Sequence, residues 1–304
     1  ISALKALPKT GSPFCFVLGY DNEGDGGGGS YYYDSTDTTS TDNGGTIIVA
    51  TDGGRWKLSQ SFPVSVKQFG AKGDDSTNDT TAINNANSVL TALNKEVYWP
   101  AGTYQATNIP AISKMKWDGE GSRRVTLKLR NGTNGTLVTS ASNDIDDIYI
   151  TGMRFDGNRA NNTSGHVLNI YGSRTRLIDI ELANAPETGI ITNWNSASGF
   201  REGGCEGFFS TITIDSSGKS GWAHYGPSDS HFENVVIADS GLSLTNSYYH
   251  LYLASGSGNG RFFNLHPYNR RTTTVVPASG VYVGSSGNNF SSCHFESGNI
   301  TLSV

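Results

Sequence analysis

The sequence is short of charge: only 16% of its 304 residues are Asp, Glu, Lys or Arg, where about 25% is ordinary. Its net charge of −5 gives no basic footprint for nucleic acid and suits an anionic membrane surface poorly. Cysteine is nearly absent. Cys15, Cys205 and Cys293 are too few and too scattered for a disulfide framework or a zinc site; they read as free, mostly buried thiols in a protein assembled inside a cell. No apolar run approaches the 18 or so residues of a membrane span, so no membrane insertion is expected, and no secretory signal is visible. No metal-ligand spacing appears, and neither a metal nor an organic cofactor is expected.

What is abundant points to an all-β protein. Glycine reaches 38 of 304 residues against an ordinary share of about 7%, and Asn, Ser and Thr are frequent. Disorder is excluded by the 14 Tyr, 13 Phe and 5 Trp, which can bury apolar surface. Residues 1–62 read as a small separate β module, in which Gly and Asp/Asn turns alternate with short strands such as YYY and TIIVA. The four glycines before Ser30 read as a tight bend closed by the Tyr31–Tyr33 strand. Residues 63–304 read as a second unit. Its Ala82, Ile83, Ala86, Val89, Leu90 and Leu93 recur at helical spacing, predicting a helix over 79–93 with Thr77 or Asp79 as N-cap. Strands follow from about residue 97.

A repeat then runs to the end. Ten-residue stretches begin at Ile150, Leu177, Phe209, Phe232, Phe262 and Phe290, separated by 27, 32, 23, 30 and 28 residues. Apolar residues fill the first, fourth and sixth places of each unit, Pro267 being the one poor fit. A second strand is placed at Val167, Ile190, Trp222, Leu251 and Val281. Two registered strand families in units of about 28 residues bury their apolar columns only by stacking. That arrangement is a parallel β-helix; a propeller blade needs roughly 40 residues.

FGAKGDDSTNDTTAI (69–83) with VYWPAGTY (97–104) resembles the entry segment of the pectate-lyase-like β-helix superfamily. GYDNEGDGGGGSYYYD and DNGGTIIVATDGGRWKL (19–34 and 42–58) resemble the particle-binding or neck module ahead of the β-helix in bacteriophage tailspikes, and FDGNRANNTSGH (155–166) is similar to stretches of those proteins. The resemblance implies a right-handed, single-stranded parallel β-helix with a small N-terminal β module and a capping helix. It further implies a homotrimer in the virion tail, joined to a tail or baseplate protein through the N-terminal module. Such a particle assembles in the host cytoplasm, leaves by lysis and acts on capsule or O-antigen at the host surface. Tailspikes usually carry more coils, so a chain starting at Ile1 and stopping within a sixth unit is expected to be a piece of a longer one. The paired-Asp motifs of polygalacturonases are not found, so no catalytic residues carry over.

Glycoside hydrolysis asks for two carboxylates about 5–5.5 or 6.5–9.5 Å apart. Outward fifth and seventh places put Glu181 diagonally between Asp156 and Asp215, at about 8 Å by strand geometry. Two readings stand: a catalytic cluster, or an Asp156 that shapes an Asp-Gly-Asn turn and a Glu181 paired with Arg154. The insert 193–207 contributes Arg201, Glu202 and Glu206 on a long loop, where binding groups concentrate; Glu187 is a further candidate. For sugar stacking the candidates are Trp222, His224, Tyr225, Tyr252 and Tyr282, with Tyr248 and Tyr249 beside them. His224, His250, His266 and Arg271 would suit a lyase. The function expected is a tailspike that binds and depolymerises a bacterial surface polysaccharide as an endo-glycosidase. The alternatives are a polysaccharide lyase and a non-catalytic receptor-binding or adaptor tail protein.

Overall fold

The third place of each repeat explains why apolar residues fill the first, fourth and sixth places rather than alternating strictly. The protein is described by a computed structural model covering residues 1–59, 63–142, 145–194, 206–270, 274–296 and 300–302. There Gly152, Asp179, Thr211, Asn234, Asn264 and Ser292 have φ of 65, 52, 57, 54, 54 and 53°. A left-handed residue bends the strand and restarts the side-chain alternation one residue late. Asn and Asp tolerate this conformation well, and β-branched Thr211 is its costliest occupant.

The six starts, Ile150 to Phe290, are successive register partners in one parallel ladder. Their strands, Tyr149–Asp156, Arg176–Ala183, Phe208–Asp215, His231–Ala238, Arg261–Tyr268 and Asn289–Ser291, form the body of a 12-stranded sheet. Pro267 keeps register with Ile237. A second sheet of 9 strands aligns Leu168, Ile190, Trp222, Leu251, Val281 and Ile300. The expected start at Val167 is therefore one residue early, because Val167 too is buried and its side chain carries no sign of the register. The fold is the parallel β-helix that the repeat predicts.

Between the two sheets runs a column of rings. Phe232, 2% exposed, lies 5.0 Å from Phe209 and 4.3 Å from Phe262, which in turn lies 4.7 Å from Phe290. Each coil alone leaves its ring half covered, so stability is shared between neighbours. Phe232→Ala is expected to remove about 3–5 kcal/mol of unfolding free energy in urea titrations. Phe232→Leu should cost clearly less because most of the volume stays.

Before the helix of strands, Phe14–Val17, Gly29–Tyr33, Arg55–Leu58 and Ile47–Val49 form an antiparallel sheet in that spatial order. The glycine run is a close approach: a Cβ on Gly27 or Gly28 would sit 2.4 Å from a backbone oxygen, of Lys67 and Val17 respectively. The helix Thr80–Ala92 buries Ile83, Ala86 and Leu90. Asp79 stands at its N-cap, but its carboxylate accepts from Lys72 N–H (2.7 Å) and Gly73 N–H (3.1 Å) rather than capping the helix. The Gly-Ala-Lys-Gly loop has the nearer claim on that side chain. Buried Asn87 then ties the helix to the coils, accepting from Trp117 Nε1 at 3.1 Å and donating to Pro110 O at 3.0 Å.

Candidate functional site

The charged residues of the fifth and seventh places do face outward on the first sheet, although Ala183 and Ala238 in the seventh place are buried, and the carboxylates there are all engaged. Glu181 is the register partner of Arg154 and forms an ion pair with it. Asp156 accepts from Asn158 N–H at 2.7 Å and from Asn184 Nδ2 at 3.0 Å, as a turn-shaping Asp would. Asp215 is ion-paired with Arg270, whose other nitrogen lies 3.3 Å from Asp239. Glu181 thus sits beside Thr213 and between the coils of Asp156 and Asp215, but Glu181 is held by the preceding coil, Asp156 by its own turn and the next coil, and Asp215 by Arg270 two coils on.

The second sheet places its sequence candidates unevenly. Trp222 and His224, expected at a sugar-binding surface, lie wholly inside the coil. They form one ordered chain: Trp222 Nε1–H donates to Thr192 Oγ1 (2.9 Å), and the Thr192 hydroxyl donates to His224 Nδ1 (2.7 Å). His224 Nε2–H completes it by donating to Pro227 O (3.1 Å). Burial pushes the His224 pKa down to about 3. In a strand of three buried residues, Trp222–His224, no polar alternation marks which way a side chain points.

The tyrosines do reach the surface. Tyr252 and Tyr282 are register partners with rings 4.9 Å apart and 11° from parallel. Tyr225, 40% exposed, lies 5.8 Å from Tyr252, and Tyr249 lies 5.1 Å from Tyr282. A groove of about 310 Å³ runs past Tyr225, Tyr249 and Tyr252 to His166 and Lys219. Beyond Tyr225, Gly226 leaves room for the Trp194 indole: a Cβ there would meet Trp194 Cδ1 at 2.0 Å.

Glu187 stands at the rim, in contact with the two basic residues of the groove, Lys219 and His166. It accepts from Lys219 Nζ and from Gly165 N–H at 3.2 Å, with His166 Nε2 at 3.8 Å. The Lys219 hydrogen bond holds the Glu187 pKa below the usual carboxylate value, while Glu187 raises that of Lys219. Burial lowers the His166 pKa, and its Nδ1 accepts from Thr188 N–H at 3.3 Å. At neutral pH the rim therefore carries an ionised carboxylate, an ammonium and a neutral imidazole protonated on Nε2.

Residues 63–294 match the family described as rhamnogalacturonase A/epimerase, pectate lyase-like. The chain belongs to this family. Residues 1–61 of this pectate lyase-like chain match the phage tail protein small four-stranded β-sheet domain. No curated protein matches the sequence. Among solved structures, the chain is similar to a tailspike of Acinetobacter baumannii bacteriophage Fri1, a capsular polysaccharide depolymerase. The TM-score is 0.73 at 17% identity, over 99% of this chain and 58% of the tailspike. It is also similar to the A-module of the Azotobacter vinelandii mannuronan C-5 epimerase (TM-score 0.57, 18% identity, 79% of this chain, 70% of that one). A third is the Pantoea stewartii glycan biofilm modifying enzyme with a tailspike-like fold (TM-score 0.54, 14% identity, 91% and 45%). At these identities the likeness is one of fold, and the chain spans little more than half the length of the Fri1 tailspike.

Two sequence candidates of this pectate lyase-like chain, Arg201 and Glu202, lie outside the described residues, as do Cys205 and Arg271. Glu206 is exposed at the edge of that stretch. Sequence reasoning passed over Lys219 and His166. A hint was available: both precede second-sheet strands by a few residues, as Glu187 does, so all three fall on one corner of successive coils.

Proposed function

We propose that this chain is the body of a phage tailspike that binds a bacterial surface polysaccharide along the tyrosine groove and cleaves it at the Glu187 rim. The observation that carries this reading is the coincidence of open, stacked tyrosines with an ionised carboxylate beside Lys219 and His166. Sugar rings present C–H faces that pack on aromatic rings, and the polar rim orients the bond to be cut. Glu187 accepts a proton, from water in hydrolysis or from a sugar carbon in β-elimination, and the departing glycosidic oxygen takes one from His166 Nε2–H or from water. Lys219 supplies positive charge for an acidic sugar or a developing oxyanion.

Asp156, Glu181 and Asp215 are assigned a scaffolding role, since they stand on the first sheet and none of them lines the tyrosine groove. The N-terminal module joins the tail. Its edge strand leaves Phe14 and Phe16 exposed, with Leu18 just beyond, an apolar strip suited to a protein contact. Three copies are expected to form the working particle, which light scattering would report as three times the chain mass.

The test is incubation with host capsule or O-antigen while polymer size is followed. Shortening with unsaturated, ultraviolet-absorbing ends identifies a lyase, and shortening without them a hydrolase. Retained binding with unchanged size would leave only the receptor-binding reading. Tyr252→Ala is expected to weaken binding tenfold or more, because burying an aromatic side chain is worth about 1.5–3 kcal/mol and about 1.4 kcal/mol is a factor of ten. Polymer affinity measured by calorimetry checks it.

A further inference from the structure

His266 and His294 occupy the same outward fifth place in units five and six, and Glu296 the seventh place of unit six. The two imidazoles stack at 4.9 Å and 8°. Glu296 Oε1 lies 3.2 Å from His266 Nε2 and 3.9 Å from His294 Nδ1. One donor atom from each residue falls within 4.8 Å of the other two. His266 Nε2 itself is sealed from solvent and has no aligned hydrogen-bond partner, although the side chain as a whole is 30% exposed. A buried ring nitrogen without a partner is costly, and here it faces a carboxylate oxygen and a second imidazole.

We propose that His266, His294 and Glu296 form a binding site for a divalent transition-metal ion of the zinc class. Bonds of about 2.0–2.2 Å to nitrogen and oxygen place tetrahedral donors about 3.4 Å apart. The observed 3.2 and 3.9 Å spacings to Glu296 bracket that value, and the two stacked imidazoles must turn out of parallel for a lone pair of each to point at one ion. Two imidazoles with one carboxylate suit Zn²⁺, Ni²⁺ or Co²⁺, whereas Ca²⁺ and Mg²⁺ favour all-oxygen sets. The site joins two coils where the first sheet thins. After Asn289–Ser291 the segment 293–296 has no strand, and its backbone is held by His294 N–H donating to Leu265 O at 2.9 Å. The ion would clip this segment to the strand Arg261–Tyr268, leaving a fourth position for water or another ligand.

The experiment is calorimetric titration of the chelator-treated, tag-free chain with Zn²⁺, alongside thermal unfolding. One ion per chain is expected, with a dissociation constant of micromolar order and a melting temperature that rises as the site fills. His294→Ala and Glu296→Gln, each with an unchanged circular dichroism spectrum, should each weaken binding by tenfold or more. Co²⁺ should give visible d–d bands that Glu296→Gln alters. If His294→Ala fails to fold, the nearly isosteric Glu296→Gln decides alone. Absence of saturable binding below about 100 µM, or equal binding in the folded variants, overturns the site.

Discussion

Glu187→Gln is expected to slow polysaccharide cleavage by about 10²–10⁴-fold, the range a positioned proton acceptor supplies, while affinity for the intact polymer stays within about threefold. The split between cleavage and binding is the informative part. Gln keeps the shape and can still accept from Gly165 N–H, so the corner between coils should survive. What it lacks is the charge that accepts a proton and holds Lys219. A merely structural Glu187 would lower the melting temperature and leave the turnover of the remaining folded protein nearly unchanged. Glu181→Gln and Asp215→Asn are the matching controls: both should cost stability and spare cleavage. If either abolishes cleavage on a folded protein, the first-sheet column is the active site and the rim is not.

Lowering the pH from 7 to 4.5 is expected to remove about 5 kcal/mol of unfolding free energy through two buried histidines. An unfolded histidine takes a proton near pH 6.5. Burial pushes His224 down to about 3 and His250 down to about 4 in the folded protein, Asp239 opposing the shift at His250. Between those values and about 6.5 the unfolded chain binds protons that the folded chain refuses. Stability is therefore complete above pH 6.5 and falls with pH by about 1.4 kcal/mol per unit for each histidine. Asp25, for which burial is outweighed by four backbone N–H donors that hold it at about 2, contributes stability lost only between about pH 4 and 2. The two windows are thus separable. Urea unfolding at half-unit pH steps reads the slope, and a flat profile from 7 to 4.5 would sink the assignment. His224→Gln should reduce the slope by about half.

The coil was legible because its inward places carry large apolar residues at fixed offsets, so six starts chosen from sequence are register partners in the sheet. The bend itself was not. Gly, Asp, Thr, Asn and Ser share the third place, and what unites them is a backbone angle rather than a side-chain property. The pairing of Glu181 with Arg154 and the turn made by Asp156 were both readable, since each needs only the neighbouring coil. Trp222 and His224 were misplaced because their strand is buried throughout, and an aromatic residue suits a core as well as a sugar face. The rim of Glu187, Lys219 and His166 draws on three different coils through their corners, where the interval between units varies from 23 to 32 residues and the repeat gives no alignment.

The left-handed third place also bears on how such a protein can change. It resets the phase of the strand locally, in every unit, whatever preceded it. Ile212 and Ile214, which follow Thr211, therefore face inward although the longest interval in the repeat, 32 residues, precedes their unit. Because closing a longer loop adds only about 0.6 kcal/mol per doubling, corner segments are interchangeable parts on a fixed spindle. A new corner can alter what the groove meets without renegotiating the packing of a single ring in the column.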